Sequence, residues 1–339
     1  MNKQVITLFL LLVGYLSYAQ SDQKVSLLFQ DMTPIEIKLS YSNKELRKDT
    51  NDSTFIDTEM QYKYNGNWEV IPVSLRARGN FRRAECYFPP VKMKIKKSNA
   101  KNTLFEGNKR LKLVLPCKLE TNNNDNILQE YMAYKLYEAI SPYHFKTRRV
   151  KITFAEEKGK KIKEHMLEGF LIEDDDLVAD RFEGKVLERF IHPLAMDAES
   201  SAQNAFFQFM IGNTDFSTAY QHNGKLLYID KKIIPLPYDF DMSGLVDASY
   251  ATVNTTLGIK SVKDRKYRGF KRDNAVLEGV RSQFLTQKQK LMDIVGSMAG
   301  DFESEKEFGE TQSYIESFFK VLENDKDFQA SIVSQVRTK

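Results

Sequence analysis

Between residues 24 and 154, apolar and polar positions alternate with the two-residue period of half-buried strands. Ile35, Ile37 and Leu39 share one face of such a run, and Val91, Met93 and Ile95 share one face of another, which leaves Lys92, Lys94 and Lys96 on the opposite side. Asn65-Gly66 separates two extended runs, as expected of a hairpin turn whose central residues need positive φ. One segment breaks the alternation: Ile127, Leu128, Tyr131, Met132 and Tyr134 recur at helical spacing after a cap at Asn124 or Asp125, with a stop near Ser141-Pro142. After Gly169-Phe170-Leu171-Ile172, the acidic run Glu173, Asp174, Asp175 and Asp176 reads as an exposed connection. Beyond it the period lengthens. Phe206, Phe207, Met210 and Ile211 form an apolar face that Gly212 can terminate, and further helices are expected at 274–298 and 305–336. The pattern predicts an α+β chain with a β-rich lobe at 20–168 and a mainly helical lobe at 169–339.

Residues 1–19 change the setting. Lys3, an apolar stretch and small residues near Ser17 and Ala19 have the layout of an export signal, too short to span a bilayer. No cysteine follows it to carry a lipid, and no later segment is apolar enough to cross a membrane, so a periplasmic or extracellular chain is expected. Without the signal, 49 basic residues face 46 acidic ones, a balance that argues against a nucleic-acid partner. The locally basic stretch from Lys92 to Lys112 reads as a solvated face. With 42% hydrophobic residues and 23 phenylalanines, the chain can bury a large core. Cys86 and Cys117 are the only cysteines, which excludes a disulfide scaffold and a Cys-rich metal site but leaves both one bridge and two buried thiols open.

Several chemistries are missing. The four histidines lack zinc-helix spacing, and there is no nucleophile elbow, phosphate-binding P-loop or Cys-His pairing. What remains is a set of acids around a predicted hairpin, with strands at 225–229 and 233–238 and a turn near Lys231. Asp215 and Asn223 precede it and Asp239 and Asp241 follow it, so all four are expected to converge. Hard oxygen ligands at one point suit Mg²⁺ or Mn²⁺ held by one or two carboxylates and substrate phosphates, with one Asp left as a base. Each loop alone is ordinary turn chemistry. Asp239 and Asp241, however, leave an apolar strand directly, where uncompensated carboxylates are costly, which favours a metal site. A second set comprises Arg76, Arg78, Gly79 and Asn80 at one strand end, the three lysines of the next strand, and Glu130 on the helix as the carboxylate that could steady one of them.

This order of motifs resembles the CotH family of spore-coat-type atypical protein kinases, from about residue 76 to 250. The resemblance rests on Arg78-Gly79-Asn80, Lys92-Met93-Lys94, Glu168-Gly169-Phe170 and Pro237-Tyr238-Asp239-Phe240-Asp241. It implies a two-lobed kinase-like fold and transfer of phosphate from a metal-bound nucleotide, ATP or another, to a protein hydroxyl. By position in the motifs, Lys92 or Lys94 takes the phosphate-contacting lysine's place with Glu130 as its partner, and Arg78 belongs to the phosphate cradle. Asp215 accepts the hydroxyl proton. Asp239 binds metal with Asn223 or Asp241, and the stretch from Phe170 to Glu173 borders the adenine. Phe81, Arg82 and Arg83 stand where the family has small hydroxyl residues. A non-catalytic surface assembly or adhesion module and a metal-dependent phosphoester hydrolase are the other functions the same residues allow.

Overall fold

The computed structural model describes residues 25–79, 81–119 and 123–338; the expected signal segment and Asn80 lie outside them. Seven strands form a closed barrel: β1 (Ile35–Tyr41), β2 (Ile56–Tyr64), β3 (Asn67–Ala77), β4 (Val91–Lys94), β5 (Arg110–Val114), β6 (Thr147–Lys158) and β7 (Lys161–Ile172), in the order β1-β2-β3-β4-β5-β7-β6. Neighbours are antiparallel except β1 and β6, which run parallel from Ile35 opposite Val150 to Tyr41 opposite Glu156. The β2–β3 turn has Asn65 at φ 49° and Gly66 at φ 82°, the conformation the dipeptide predicts. Ile35, Ile37, Leu39, Val91, Met93 and Ile95 all point into the barrel and are buried there.

Short helices α1 (Asn43–Lys48), α2 (Phe81–Glu85) and α3 (Lys97–Ala100) fill barrel loops. The bond between Cys86 and Cys117 joins the end of α2 to the segment after β5 and decides between the two readings of that pair. Helix α4 (Asn123–Ile140) packs outside the barrel, with Tyr131 and Tyr134 against Phe170 of β7. Asp125, expected as a possible cap, lies inside α4 and accepts from the amides of Glu303 and Ser304, just ahead of the helix that begins at Glu305, at 2.8 and 3.2 Å. After β7 come α5 (Asp175–Arg181), α6 (Ala198–Met210), α7 (Asn274–Thr286), α8 (Lys288–Ser297), α9 (Glu305–Glu323) and α10 (Asp325–Ser331). The two long helices expected at 274–298 and 305–336 are therefore each divided, at Gln287 and Asn324. A small sheet of β8 (Lys185–Leu187), β9 (Gly224–Ile229) and β10 (Lys232–Pro237) lies among them in the order β10-β9-β8. The second core gathers Phe206, Phe207, Phe240, Phe284 and Phe318 around α4 and α6. Among the described residues no helix is long and apolar enough to cross a membrane.

Three expectations need correction. The architecture is dominated by a closed mixed barrel and is not a two-lobed kinase-like fold. Alternation specifies which face of a strand is buried but not its partner, and the β1–β6 pairing that closes the barrel joins residues far apart in the chain. The boundary expected between 168 and 169 falls inside β7, where Gly169 lets the strand approach β5: a Cβ there would lie 2.6 Å from the Val114 carbonyl oxygen. The acidic run after it is not a solvated connection. Glu173 and Asp174 are buried, and Asp174 caps α5.

Candidate functional site

The barrel's outer face makes one wall. Register places Arg76 of β3 opposite Lys92 of β4, and Lys92 opposite Lys112 of β5. Like charges side by side on a sheet repel by roughly 0.2–1 kcal/mol per pair, so this row favours an anion in front of it. Arg76 meets Asp52 at 2.8 Å. Lys92 is half-buried, and burial lowers its pKa against the pull of Asp174. Lys112 is buried with Nζ 4.6 Å from the Phe145 ring centroid and 5.1 Å from that of Tyr238. No hydrogen-bond acceptor among the described residues reaches that nitrogen, and burial pushes its pKa down. Lys94 is exposed over the Phe55 ring at 3.9 Å.

Where the wall meets α5, the acidic run is divided among cations. Asp175 faces Lys112 and Lys225 at 3.6 Å each; burial alone would raise its carboxyl, but the two ammonium groups outweigh it and hold the pKa low. Asp174 takes Arg110 at 2.7 Å. Glu173 gives both oxygens to Arg181, at 2.7 and 2.6 Å, and also accepts from the Lys146 amide, so its carboxylate serves the fold here.

The opposite wall is the stretch leaving β10. Phe240 is fully buried between Tyr134 and Phe207, with ring centroids 4.7 and 5.2 Å away, and this anchor turns Asp239 and Asp241 to the other side. Asp239 adopts φ 65°, in the left-handed region that Asp and Asn tolerate best among non-glycine residues, and its amide donates to the Tyr134 hydroxyl at 3.0 Å. Its Oδ1 is 3.7 Å from Arg78 Nη2. Arg82, on α2, lies 3.5 Å from Glu130 Oε2 and 3.6 Å from Asp241 Oδ2, and donates to the Leu115 carbonyl oxygen at 3.0 Å. Arg82, Glu130 and Asp241 are all at least nine-tenths buried. Burial, with repulsion from Asp241 and Asp239, pushes the Glu130 carboxyl up to about 8 against the pull of Arg82; burial likewise raises Asp241.

The third part is the loop after α6. Gly212 ends that helix as expected, at φ 62°. Asn213 is buried and accepts from the Asp215 amide at 2.9 Å. Asn223 donates to the carbonyl oxygen of Asp215 at 2.6 Å and to its carboxylate at 3.0 Å, and His222 Nε2 is 3.0 Å from the same carboxylate. The predicted hairpin forms with Asp230 and Lys231 at its turn. The Tyr238 amide donates to the Asn223 carbonyl oxygen at 3.3 Å, so the Asp215 loop and the Asp239 stretch end on the same side.

Arg78, Glu130, Asp239 and Asp241 therefore meet, with Lys92 on the adjoining wall and Asp215 and Asn223 joined at the rim. Glu130 pairs with Arg82 instead of Lys92. Arg82, Lys112, Asp175 and Lys225 belong to the site although sequence reasoning passed over them. Lys112, a charge between Leu111 and Leu113 in a buried strand, carried a readable signal, and Arg82 stood out only as a departure from the family's small hydroxyl residues. Among the described residues no three His, Cys, Asp or Glu side chains could hold a metal by themselves. Asp239 Oδ1 and Asp241 Oδ2 make no hydrogen bond among the described residues and face only Arg78 and Arg82, at 3.7 and 3.6 Å, so with those guanidinium groups turned aside the two carboxylates would suit a hard divalent ion such as Mg²⁺ or Mn²⁺. Asn223 commits its side-chain nitrogen to Asp215 and keeps its Oδ1 uncommitted among the described residues. The chain matches no protein-family model and no curated protein sequence.

Proposed function

We propose that the protein is an exported, CotH-like phosphotransferase that takes ATP or a related nucleotide with Mg²⁺ or Mn²⁺ and transfers phosphate to a protein hydroxyl. One observation carries this reading. Polar atoms of both signs converge between the barrel wall and the stretch leaving β10, buried and without hydrogen-bond partners among the described residues: Arg78 Nε and Nη2, Arg82 Nε, Lys112 Nζ, Glu130 Oε1, Asp239 Oδ1 and Asp241 Oδ2, several of them facing an opposite charge only at 3.6–3.7 Å. Leaving such groups unsatisfied costs about 1–3 kcal/mol each, more where they are charged. A polyanion carrying its own cation satisfies both signs together.

Bound nucleotide supplies the phosphoryl group, and the divalent ion supplies charge neutralisation. Arg78 and Lys112, backed by Lys92, would supply positive charge to the nucleotide's phosphate oxygens. Asp239 and Asp241 hold the ion, while Arg82 keeps Glu130 and Asp241 from repelling each other. Asp215, oriented by His222 and Asn223, takes the proton of the acceptor hydroxyl. The disulfide supports an oxidising compartment and hence export.

Incubating the mature protein with γ-labelled ATP, Mn²⁺ or Mg²⁺ and candidate acceptor proteins tests the proposal. Label transfer by the wild type and its loss in Asp239→Ala are expected. Equal transfer by both, or transfer by neither, refutes it, and release of free phosphate without acceptor labelling identifies a hydrolase.

A further inference from the structure

Beside the Asp215 loop lies a cavity of about 370 Å³ that phosphate transfer does not use. Lys266, Arg268 and Arg337 line it with Thr256 and Ser334, and among the described residues no Asp or Glu does. All three cations are half-buried. Arg268 donates to the carbonyl oxygens of Thr214 and Phe216, at 2.8 Å for the latter, so the cavity is tied directly to the residues flanking Asp215. Lys266 donates to the neutral Gln335 at 2.8 Å, and Arg337 lies over the Phe270 ring at 4.6 Å. Some other surface cations meet acids, as Arg281 does with Asp325 at 2.6 Å. Here Arg337 acts on Arg268 as a like charge, and the hydroxyl of Tyr267, on the same wall, is buried without a hydrogen-bond partner. Asp215 offsets part of the Arg268 charge, but among the described residues no Asp or Glu lines the cavity beside Lys266 and Arg337, and half-buried like charges so placed attract an anion from outside.

We infer that this cavity is a docking subsite for an acidic side chain of the acceptor polypeptide, seated so that a neighbouring hydroxyl reaches Asp215. The inference deepens the phosphotransferase reading and rests on it for the identity of the ligand as an acceptor. Acidic flanking residues are then what distinguish an acceptor hydroxyl from others.

The test is fluorescence anisotropy with a short labelled peptide carrying one Ser flanked by Glu, beside matched peptides flanked by Gln or Lys, all without nucleotide. Wild type is expected to bind the Glu peptide most tightly. The Lys266→Gln/Arg337→Gln variant is expected to weaken that binding about tenfold, as is raising the salt to about 0.5 M on wild type. Should the double variant melt early, Lys266→Gln alone is expected to lose about threefold. Equal wild-type affinity for the Glu and Gln peptides overturns the inference, as does a folded double variant that binds the Glu peptide like wild type. Because binding is read without nucleotide, absent label transfer with preserved Glu selectivity refutes the phosphotransferase reading and leaves the acidic-peptide site standing.

Discussion

Replacing Glu130 by Gln makes the electrostatics of the cleft measurable without a substrate. Glu130 is buried, and its carboxyl is pushed up to about 8 by burial and by the neighbouring Asp241 and Asp239. A folded pKa above the unfolded one means that the native chain keeps a proton the unfolded chain has released, so stability falls as pH rises between the two values. With an unfolded value near 4.3, the loss from pH 5 to pH 8 is about 3–4 kcal/mol, at most about 1.4 kcal/mol per pH unit. Gln mimics the protonated acid and does not titrate. The variant should therefore match wild type near pH 5 and exceed it by about 2–3 kcal/mol at pH 8, the remainder staying with Asp241, whose carboxyl is also raised. Urea unfolding at pH 5, 6, 7 and 8 reads this out. Parallel stability curves for the two proteins would falsify the assignment of a buried, proton-holding Glu130.

Other perturbations probe neighbouring parts. Arg82→Met leaves Glu130 and Asp241 buried beside each other without their cation, and is expected to cost about 3–5 kcal/mol in urea unfolding at pH 8; a change below about 1 kcal/mol contradicts the pairing. Cys86→Ser/Cys117→Ser removes the staple between α2 and the end of β5, a separation of 31 residues, and should lower stability by about 3–4 kcal/mol. A reductant should then affect only wild type. Gly212→Ala meets both a φ of 62° and a Tyr314 hydroxyl oxygen 2.0 Å from the new Cβ, so a loss of about 2 kcal/mol or more is expected, part of it recovered by Tyr314→Phe. Because Glu130 and Asp241 both hold protons too tightly, Mn²⁺ or Mg²⁺ with nucleotide should bind more tightly as pH rises from 6 to 8 and release protons, measured by calorimetry in buffers of different ionisation enthalpy. Proton-neutral binding would place the ion elsewhere.

Local features were legible because their causes are local. The alternation at Ile35, Ile37 and Leu39, the Asn65-Gly66 turn, the Gly212 helix stop and the hairpin at Lys231 all follow from backbone preference and side-chain period within a few residues. The convergence of Asp215 and Asn223 with the Asp239 stretch was legible for the same reason, since an antiparallel hairpin returns its ends to one side. Barrel closure was not, because β1 meets β6 across the intervening strands and no residue pattern names a partner.

Charge pairing was decided by the same long-range geometry. The acids and cations of the cleft can all be read along the chain, yet Lys92 was expected to meet Glu130, while α2 carries Arg82 into that place and Glu173 is given to Arg181. Period and propensity act between near neighbours, so the chain alone determined its strands, turns, helix stops and the hairpin that gathers the acids. Closure of the barrel, burial of Lys112 and the arginine that faces Glu130 depend on packing between distant segments, and only the tertiary structure decided them.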